Sequence, residues 1–222
     1  IIRGTSALVS LTDEEVEQVL LPDAAMQYSF YKGVSKQTYP TSLMGMMALI
    51  RQAHHDAKWY AANQATIEYN QTLAALNQQK ELPKIMEVGS LLSIFRADTI
   101  GDEFDFQFII KGSGQEYERI EAIKATAAPL IVPIDYPKAY DVSDAYDALR
   151  LPLSKMKEWE MAPHNLSVLH KNNIEFAITS AGLKSPEDLF KNLQKSVEKG
   201  LSRSAAIRAL TETPAKLINQ SG

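Results

Sequence analysis

The sequence contains no cysteine among its 222 residues, which excludes disulfide bonds and thiolate metal ligands. No stretch approaches the roughly 20 consecutive apolar residues that a transmembrane helix requires, and no signal peptide is visible. An excess of positive charge is also lacking, because the net charge is −4 and the basic residues are scattered among acidic ones. We therefore predict no membrane span and no nucleic-acid partner for this segment.

The first eighty residues have a different pattern of apolar and polar residues from the rest of the chain. The chain begins at Ile1 rather than Met, and Ile2 to Ser10 already has the pattern of a strand, so we interpret it as a piece of a longer protein. Acidic residues Asp13 to Glu15 follow, and Pro22 with Asp23 indicates a turn before an extended segment from Ala24 to Tyr31. Helical spacing of apolar residues predicts helices over 42–63 and 67–79.

After Pro83, strand and helix patterns alternate regularly. The predicted strands are 84–88, 104–110, 129–134 and 174–179, and the predicted helices are 91–100, 115–125, 154–161 and 163–171, with a loop-like insertion over 135–151. Ser185 and Ser202 have the pattern of helix N-caps, and Gly200 that of a helix stop. The alternation predicts βαβ units, a parallel sheet and the α/β class.

Five segments of the sequence have a distinctive composition: FAITSAGL at Phe176–Leu183, GLS at Gly200–Ser202, ALTETPAKL at Ala209–Leu217, RGTSALVS at Arg3–Ser10 and YPTSLMG at Tyr39–Gly45. Together they resemble segments of the amidohydrolase superfamily. In that superfamily the last barrel strand is followed by a helix and then by an ALT-x-x-PA-x-LL segment beneath the barrel. The chain is most similar to imidazolonepropionase-related amidohydrolases, in a divergent group typical of Bacteroidetes bacteria.

The resemblance implies a (β/α) TIM-barrel-like fold of the metal-dependent hydrolase type, present here as an incomplete barrel. In such enzymes one or two divalent metals such as Zn²⁺ lie at the C-terminal mouth of the barrel. Their ligands are an HxH pair on the first strand, histidines on the fifth and sixth strands, and an aspartate after the eighth. The metal lowers the pKa of a bound water, and the aspartate takes a proton as hydroxide attacks a carbonyl.

This sequence departs from that ligand pattern. Glu87 and Lys111 stand where the two strand histidines are expected, Ala181 stands where the aspartate is expected, and the HxH segment is upstream of Ile1 or absent. An ammonium group repels a cation, and a methyl group supplies no ligand atom. We therefore expect a degenerate metal site and no metal or other cofactor bound by this fragment.

The candidate pocket residues are Glu87, Lys111, Asp135 and Ser180, at strand ends that would face the barrel mouth. Glu87 and Lys111 lie on neighbouring predicted strands. They either form an ion pair that replaces the metal site or act as a substrate-binding or acid–base pair, and Glu87 as a metal ligand is a third reading. Ser180 has no nearby histidine in the sequence, so no catalytic residue is assigned.

Other polar residues have simpler interpretations. His54 and His55 are adjacent, so on a helix they point about 100° apart and cannot bind one metal together; we interpret both as solvent-facing. His164 is interpreted as a surface or capping residue. The segment Gly112 to Gly114 follows a strand and opens a helix, where its amides could hold an anion. A tight strand-to-helix turn fits better, because the third glycine of the dinucleotide motif is missing.

The sequence thus favours a single domain over 1–222, with a strand and long-helix region up to residue 82 and regular β/α units from residue 83. We predict an amidohydrolase-like protein of the class that hydrolyses non-peptide C–N bonds, with a small-molecule substrate or ligand. The alternative is a non-catalytic α/β domain that binds a ligand or a partner. Missing barrel segments or a second copy would cover the open sheet edges, and the resemblance favours an exported or periplasmic bacterial protein.

Overall fold

The structure of the protein is a computed structural model that describes residues 1–11 and 18–220, so the acidic segment Asp13 to Glu15 lies outside the described residues. The chain divides into two compact units. The first unit contains Ile1–Val88 and Arg96–Ile109, and the second contains Gly89–Phe95 and Ile110–Gly222. Each unit is described separately below.

The first unit contains three neighbouring strands and its own helices. Its elements are β1 (Ile2–Val9), β2 (Val19–Ser29), α1 (Leu43–Asn63), α2 (Gln71–Gln78), β3 (Lys84–Glu87) and most of α3 (Leu91–Glu103). Strand β1 is antiparallel to β2, and β2 is parallel to β3 with Ser29 opposite Glu87. This part of the chain therefore begins with a hairpin-like edge and then follows the parallel pattern.

The predicted turn at Pro22 and Asp23 is wrong, because β2 continues through both residues. Its register against β1 shifts between Ser6, which is opposite Ala25, and Leu8, which is opposite Leu21. Pro22 therefore lies in a bulge of the ladder, where its missing N–H breaks no hydrogen bond.

Helix α1 begins where the sequence pattern predicts it to begin. The Ser42 hydroxyl accepts a hydrogen bond from the Gly45 amide at 3.2 Å, which satisfies one of the unpaired amides at the helix N-terminus. One stripe of the helix is buried, through Ile50, Ala57 and Tyr60. Helix α2 begins later than predicted, at Gln71, because Asn70 caps it by accepting from the Leu73 amide.

The second unit contains the regular β/α repeat. Its elements are the end of β4 (Phe108–Lys111), α4 (Ile120–Thr126), β5 (Leu130–Pro133), α5 (Ala145–Arg150), α6 (Leu153–Met161), α7 (Asn165–Lys171), β6 (Phe176–Thr179), α8 (Pro186–Glu198), α9 (Arg203–Leu210) and α10 (Glu212–Leu217). Strands β4, β5 and β6 are neighbours and run parallel. The predicted α/β class and the parallel β/α units are confirmed.

Several helix boundaries in this unit follow the predicted signals. Ser185 caps α8 by accepting from the Glu187 amide, and Ser202 caps α9 by accepting from the Ala205 amide. Gly200, with φ +101°, ends the α8 segment in a backbone conformation that glycine adopts at little cost.

Other boundaries differ from the prediction, among them the start of α4 at Ile120 and of β6 at Phe176. Strand β4 begins at Phe108 rather than Phe104, because Asp105 has a left-handed φ of 59° that interrupts extended backbone. The insertion after β5 contains the short helix α5, which has no buried residue. Within the described ranges, no helix combines the length and apolar character needed to cross a bilayer.

Candidate functional site

Three of the four candidate pocket residues lie at the C-terminal ends of neighbouring parallel strands of the second unit. Lys111 is the last residue of β4, Asp135 lies shortly beyond the end of β5, and Ser180 directly follows β6. In the strand register Lys111 is opposite Ile131, and Pro133 is opposite Thr179. Because parallel strands end at a common edge, the structure brings the three candidates to one edge of this sheet.

Lys111 belongs to the less covered face of the strands. Side chains alternate between faces along a strand, so Lys111 shares its face with its register partner Ile131 and with Pro133. Both partners are partly exposed, whereas Leu130 and Val132 on the opposite face are 0% and 1% exposed. This face of the strands is therefore the more exposed one within the second unit.

Asp135 is positioned against the turn that follows β6. A Cβ atom added to Gly182 would lie 2.8 Å from Asp135 Oδ2, and the backbone of Gly182 has φ +90°. Beside it, the Asn192 side chain donates a hydrogen bond to the Ile134 carbonyl at 2.8 Å. The carboxylate of Asp135 is therefore placed beside the segment from Ser180 to Gly182.

Tyr136, the residue after Asp135, hydrogen-bonds to helix α8. Its hydroxyl lies 2.5 Å from Ser196 Oγ, and Ser196 Oγ donates to the Asn192 carbonyl at 3.2 Å. Burial raises the pKa of Tyr136 to about 12, so the hydroxyl keeps its proton at neutral pH. These bonds connect α8 to the chain that follows β5.

Ser180 and Ala181 form a tight turn at the exposed edge. The Ser180 carbonyl accepts from the Leu183 amide at 3.1 Å, and the Ala181 amide donates to Thr179 Oγ1 at 3.2 Å. In the part of the chain that the structure describes, no histidine hydrogen-bonds to the Ser180 hydroxyl. This serine therefore has no adjacent base of the kind that activates a nucleophile.

The turn after β4 is built around a buried glutamate that the sequence reasoning missed. Glu116 is 0% exposed. Its Oε1 accepts from the amides of Ser113 (2.7 Å) and Gly114 (3.0 Å), and its Oε2 accepts from Asn165 Nδ2 (2.6 Å). A side chain at Gly112 would overlap Glu116 Oε1. The amides considered as an anion cradle thus bind the chain's own carboxylate, which confirms the tight-turn interpretation.

Glu87, the fourth candidate, lies in the first unit as the last residue of β3. Its Oε2 is 3.3 Å from Arg3 Nη1, and Arg3 Nη2 donates to the Ser29 hydroxyl at 3.2 Å. Ser29 is buried, whereas the side chains of Arg3 and Glu87 are 41% and 33% exposed. Glu87 therefore forms an ion pair within its own unit, and its pairing with Lys111 stays a prediction.

The solvent-facing interpretation is wrong for His54. Its Nε2 lies 3.2 Å from the Tyr28 hydroxyl, and its ring centroid is 5.0 Å from that of Phe104 and 5.2 Å from that of Phe106. Burial, together with the nearby charges of Lys84 and His55, lowers the pKa of His54 to about 4. His55 is exposed, as interpreted from the sequence.

His54 and Tyr28 belong to the core of the first unit rather than to an open pocket. Tyr28 is 1% exposed, and its ring packs edge-on against Phe108 with centroids 5.2 Å apart. The cation of Lys84 lies 4.9 Å above the Phe106 ring. We define Tyr28, His54, Phe104, Phe106 and Phe108 as the aromatic cluster.

The residues at the strand ends of the second unit do not fit the divalent metals that the family resemblance implies. Lys111 carries a positive charge and Ala181 has no ligand atom, which leaves Asp135 as the carboxylate at this edge and Ser180 as a weak hydroxyl ligand. Across residues 1–11 and 18–220, no group of three or more His, Asp or Glu side chains is arranged to hold a metal ion.

No known family model matches the chain, and no curated protein matches it. A crystal structure of an amidohydrolase from Thermotoga maritima MSB8 does match, with a TM-score of 0.71 at 19% sequence identity. The match covers 92% of this chain and 54% of that chain. The chain has an amidohydrolase-like fold.

The amidohydrolase-like fold confirms the coarser part of the sequence resemblance. At 19% identity the match shows the fold alone, and the chain spans about half the length of the solved structure. The relationship to imidazolonepropionase and to the Bacteroidetes group stays a prediction, as do the bacterial origin and the exported location.

Proposed function

We propose that this chain is part of an amidohydrolase-type barrel and that its strand-end pocket binds a small molecule without a divalent metal. The parent class hydrolyses non-peptide C–N bonds, and the pocket is a degenerate form of that site. The observation that carries the proposal is the placement of Lys111, Asp135 and Ser180 at the C-terminal ends of three neighbouring parallel strands. Ligands of α/β folds bind at this end of the strands.

The side chains at this edge match a ligand that has both a carbonyl and an N–H group. The Lys111 ammonium donates to a carbonyl or carboxylate oxygen, and the Asp135 carboxylate accepts from an N–H or a hydroxyl group. Amides and lactams carry both groups at close spacing. We therefore assign the ligand to this chemical class. We expect binding without hydrolysis, because the residues described at this edge combine a lysine, an alanine and a serine without a hydrogen-bonded histidine.

Metal analysis tests the degenerate site directly. The purified protein is equilibrated with Zn²⁺, Mn²⁺ or Mg²⁺, dialysed, and measured for bound metal and for thermal unfolding. We expect substoichiometric metal and an unchanged Tm. A functional site would instead stabilise the folded protein by about 2.7 kcal/mol when the free metal concentration is 100 times the Kd. Stoichiometric Zn²⁺ that is lost in Asp135→Ala would overturn the proposal.

A ligand panel separates binding from turnover. Lactams, N-acyl amino acids and dipeptides are screened by calorimetry for binding and by chromatography for hydrolysis. We expect saturable binding that is lost in Lys111→Ala and retained in Lys138→Ala, whose lysine is exposed on the segment after β5. Metal-dependent turnover that Lys111→Ala abolishes would instead identify an active hydrolase.

A second candidate function, a non-catalytic interaction domain, is favoured by the insertion after β5. Its apolar side chains Tyr146 and Leu149 are 74% and 83% exposed. Contiguous exposed apolar surface marks protein interaction sites. If this were the main function, Leu149→Lys would remove partner binding while Lys111→Ala would leave it unchanged.

A further inference from the structure

A cleft lies within the first unit and is lined by residues from its first 53 positions. It has a volume of ≈ 710 Å³, within the range of roughly 300–1,000 Å³ that is typical of small-molecule sites. It lies beside the start of β1, the segment that follows β2, and one face of α1. Its lining includes Arg3, Lys32, Tyr39, Leu49 and Ala53.

The charges that line the cleft are positive. Arg3 and Lys32 are basic, and no Asp or Glu of the described residues lines it. Within residues 1–11 and 18–220 the Lys32 ammonium has no hydrogen-bond or ion-pair partner, although the residue is half-buried. Glu87 Oε2 lies 3.3 Å from Arg3 Nη1 and neutralises part of the Arg3 charge. The charge of Lys32 has no such neighbour among the described residues.

The guanidinium of Arg3 is held in place and keeps donors for a ligand. It uses one N–H on Glu87 and one on Ser29, out of the five that an arginine carries. Gly33 lies near it, since a Cβ atom added there would be at ordinary van der Waals distance, 4.0 Å, from Arg3 Nη2. The segment that carries Lys32 therefore lies on the same side of the cleft as Arg3.

The remaining walls of the cleft are mainly apolar. Ile2, Leu49, Ala53 and Pro40 supply aliphatic surface, and Ser35, Gln37 and Tyr39 supply neutral polar groups. Inorganic phosphate would leave this aliphatic surface unused, whereas an organic carboxylate would bury its hydrocarbon body there and place its two oxygens on the cations.

We propose that this cleft is a second binding site, specific for a small organic carboxylate with an apolar body. Lys32 and Arg3 bind the carboxylate, and Leu49 and Ala53 of α1 contact the hydrocarbon part. Lys111, Asp135 and Ser180 are not among its lining residues, and neither proposal depends on the other.

The test compares phenylacetate with phenylacetamide, which has nearly the same shape but no charge, by titration calorimetry at low salt. We expect phenylacetate to bind more tightly than the amide. In Lys32→Gln its affinity falls about tenfold, as the loss of one charge-assisted hydrogen bond predicts. Lys36→Gln is the matched control, because Lys36 lies on the same segment but does not line the cleft.

Each other outcome overturns the proposal. Equal affinity for the acid and the amide, no binding of either, or equal effects of Lys32→Gln and Lys36→Gln would remove the carboxylate site. Tighter binding of inorganic phosphate than of phenylacetate would replace the carboxylate by a different ligand class. Circular dichroism of both variants checks that the fold is retained.

Discussion

At the scale of single residues, His54 links the stability of the first unit to pH. The ring lies in the aromatic cluster, and burial together with Lys84 and His55 lowers the pKa of His54 from 6.5 to about 4. Between these two values the unfolded chain binds a proton that the folded chain does not. Stability is therefore fully present above pH 6.5 and is lost as the pH falls towards 4.

We expect His54 to account for about 1–2 kcal/mol of this acid sensitivity, less than the full shift implies, because the ring is only partly shielded from solvent. Urea unfolding between pH 7 and pH 4.5 measures it. His54→Phe should flatten the pH dependence, whereas His55→Phe, at an exposed neighbouring position, should not. Identical slopes for the wild type and His54→Phe would contradict the assignment.

Alanine substitutions at Gly182 and Gly4 can distinguish the cost of backbone strain from the cost of steric overlap. Both glycines have nearly the same positive φ, +90° and +88°, but only Gly182 faces Asp135, while Gly4 has no atom within 4 Å of an added Cβ. We expect Gly4→Ala to cost about 1–2 kcal/mol and Gly182→Ala about 1 kcal/mol more. Urea unfolding measures both, and Asp135→Ala in the Gly182→Ala background should recover the difference.

At the scale of secondary-structure elements, the turn between β4 and the following helix depends on Glu116. The buried carboxylate accepts three hydrogen bonds, so Glu116→Ala leaves Ser113, Gly114 and Asn165 with unpaired donors. We expect a loss of about 3 kcal/mol or more, and a smaller loss of about 1–2 kcal/mol for Glu116→Gln, which retains one acceptor oxygen.

Two neighbours serve as controls for Glu116, with chemical denaturation as the measurement. Glu118 is exposed, so Glu118→Gln should change stability by less than about 0.5 kcal/mol. The Ser113 hydroxyl oxygen is buried without a hydrogen-bond partner among the described residues, so Ser113→Ala should be neutral or slightly stabilising. Equal losses for Glu116→Ala and Glu118→Gln would refute the role of the turn.

Local signals in the sequence were sufficient to predict most elements. Ser42, Ser185 and Ser202 cap helices where their residue types predict caps, and the apolar run at β5 is a buried parallel strand. The predictions failed where longer-range structure overrides local preference. Pro22 lies inside a strand because the ladder contains a bulge there, and His54 is half-buried because aromatic residues distant in sequence pack against it.

The candidate site was predictable only where it depends on strand ends. The alternation of predicted strands and helices was enough to propose Lys111, Asp135 and Ser180, because each directly follows a predicted strand. Glu116 was missed, although an acidic residue two positions after Gly114 was the available signal. Arg3 and Lys32 could not be predicted to line one cleft, since only the antiparallel pairing of β1 with β2 brings them together.

At the scale of the whole molecule, the exposed insertion after β5 is a feature that the fold itself does not require. Its helix α5 has no buried residue, and Leu149 is 83% exposed. We expect Leu149→Lys to change the free energy of unfolding by less than about 0.5 kcal/mol and to raise solubility by reducing apolar surface. Denaturation and light scattering measure the two effects; a large loss of stability would show that the insertion is part of the core.

The turn around Glu116 also affects which small molecules can bind near Lys111. Nucleotides and sugar phosphates usually gain affinity from backbone amides at such a turn, but here the amides of Ser113 and Gly114 are already saturated by an internal anion. Phosphorylated compounds, abundant in every cell, would gain nothing from this turn. If the proposed strand-end pocket binds a ligand, the Glu116 carboxylate would therefore favour ligands without a phosphate group, because it already occupies these two amides.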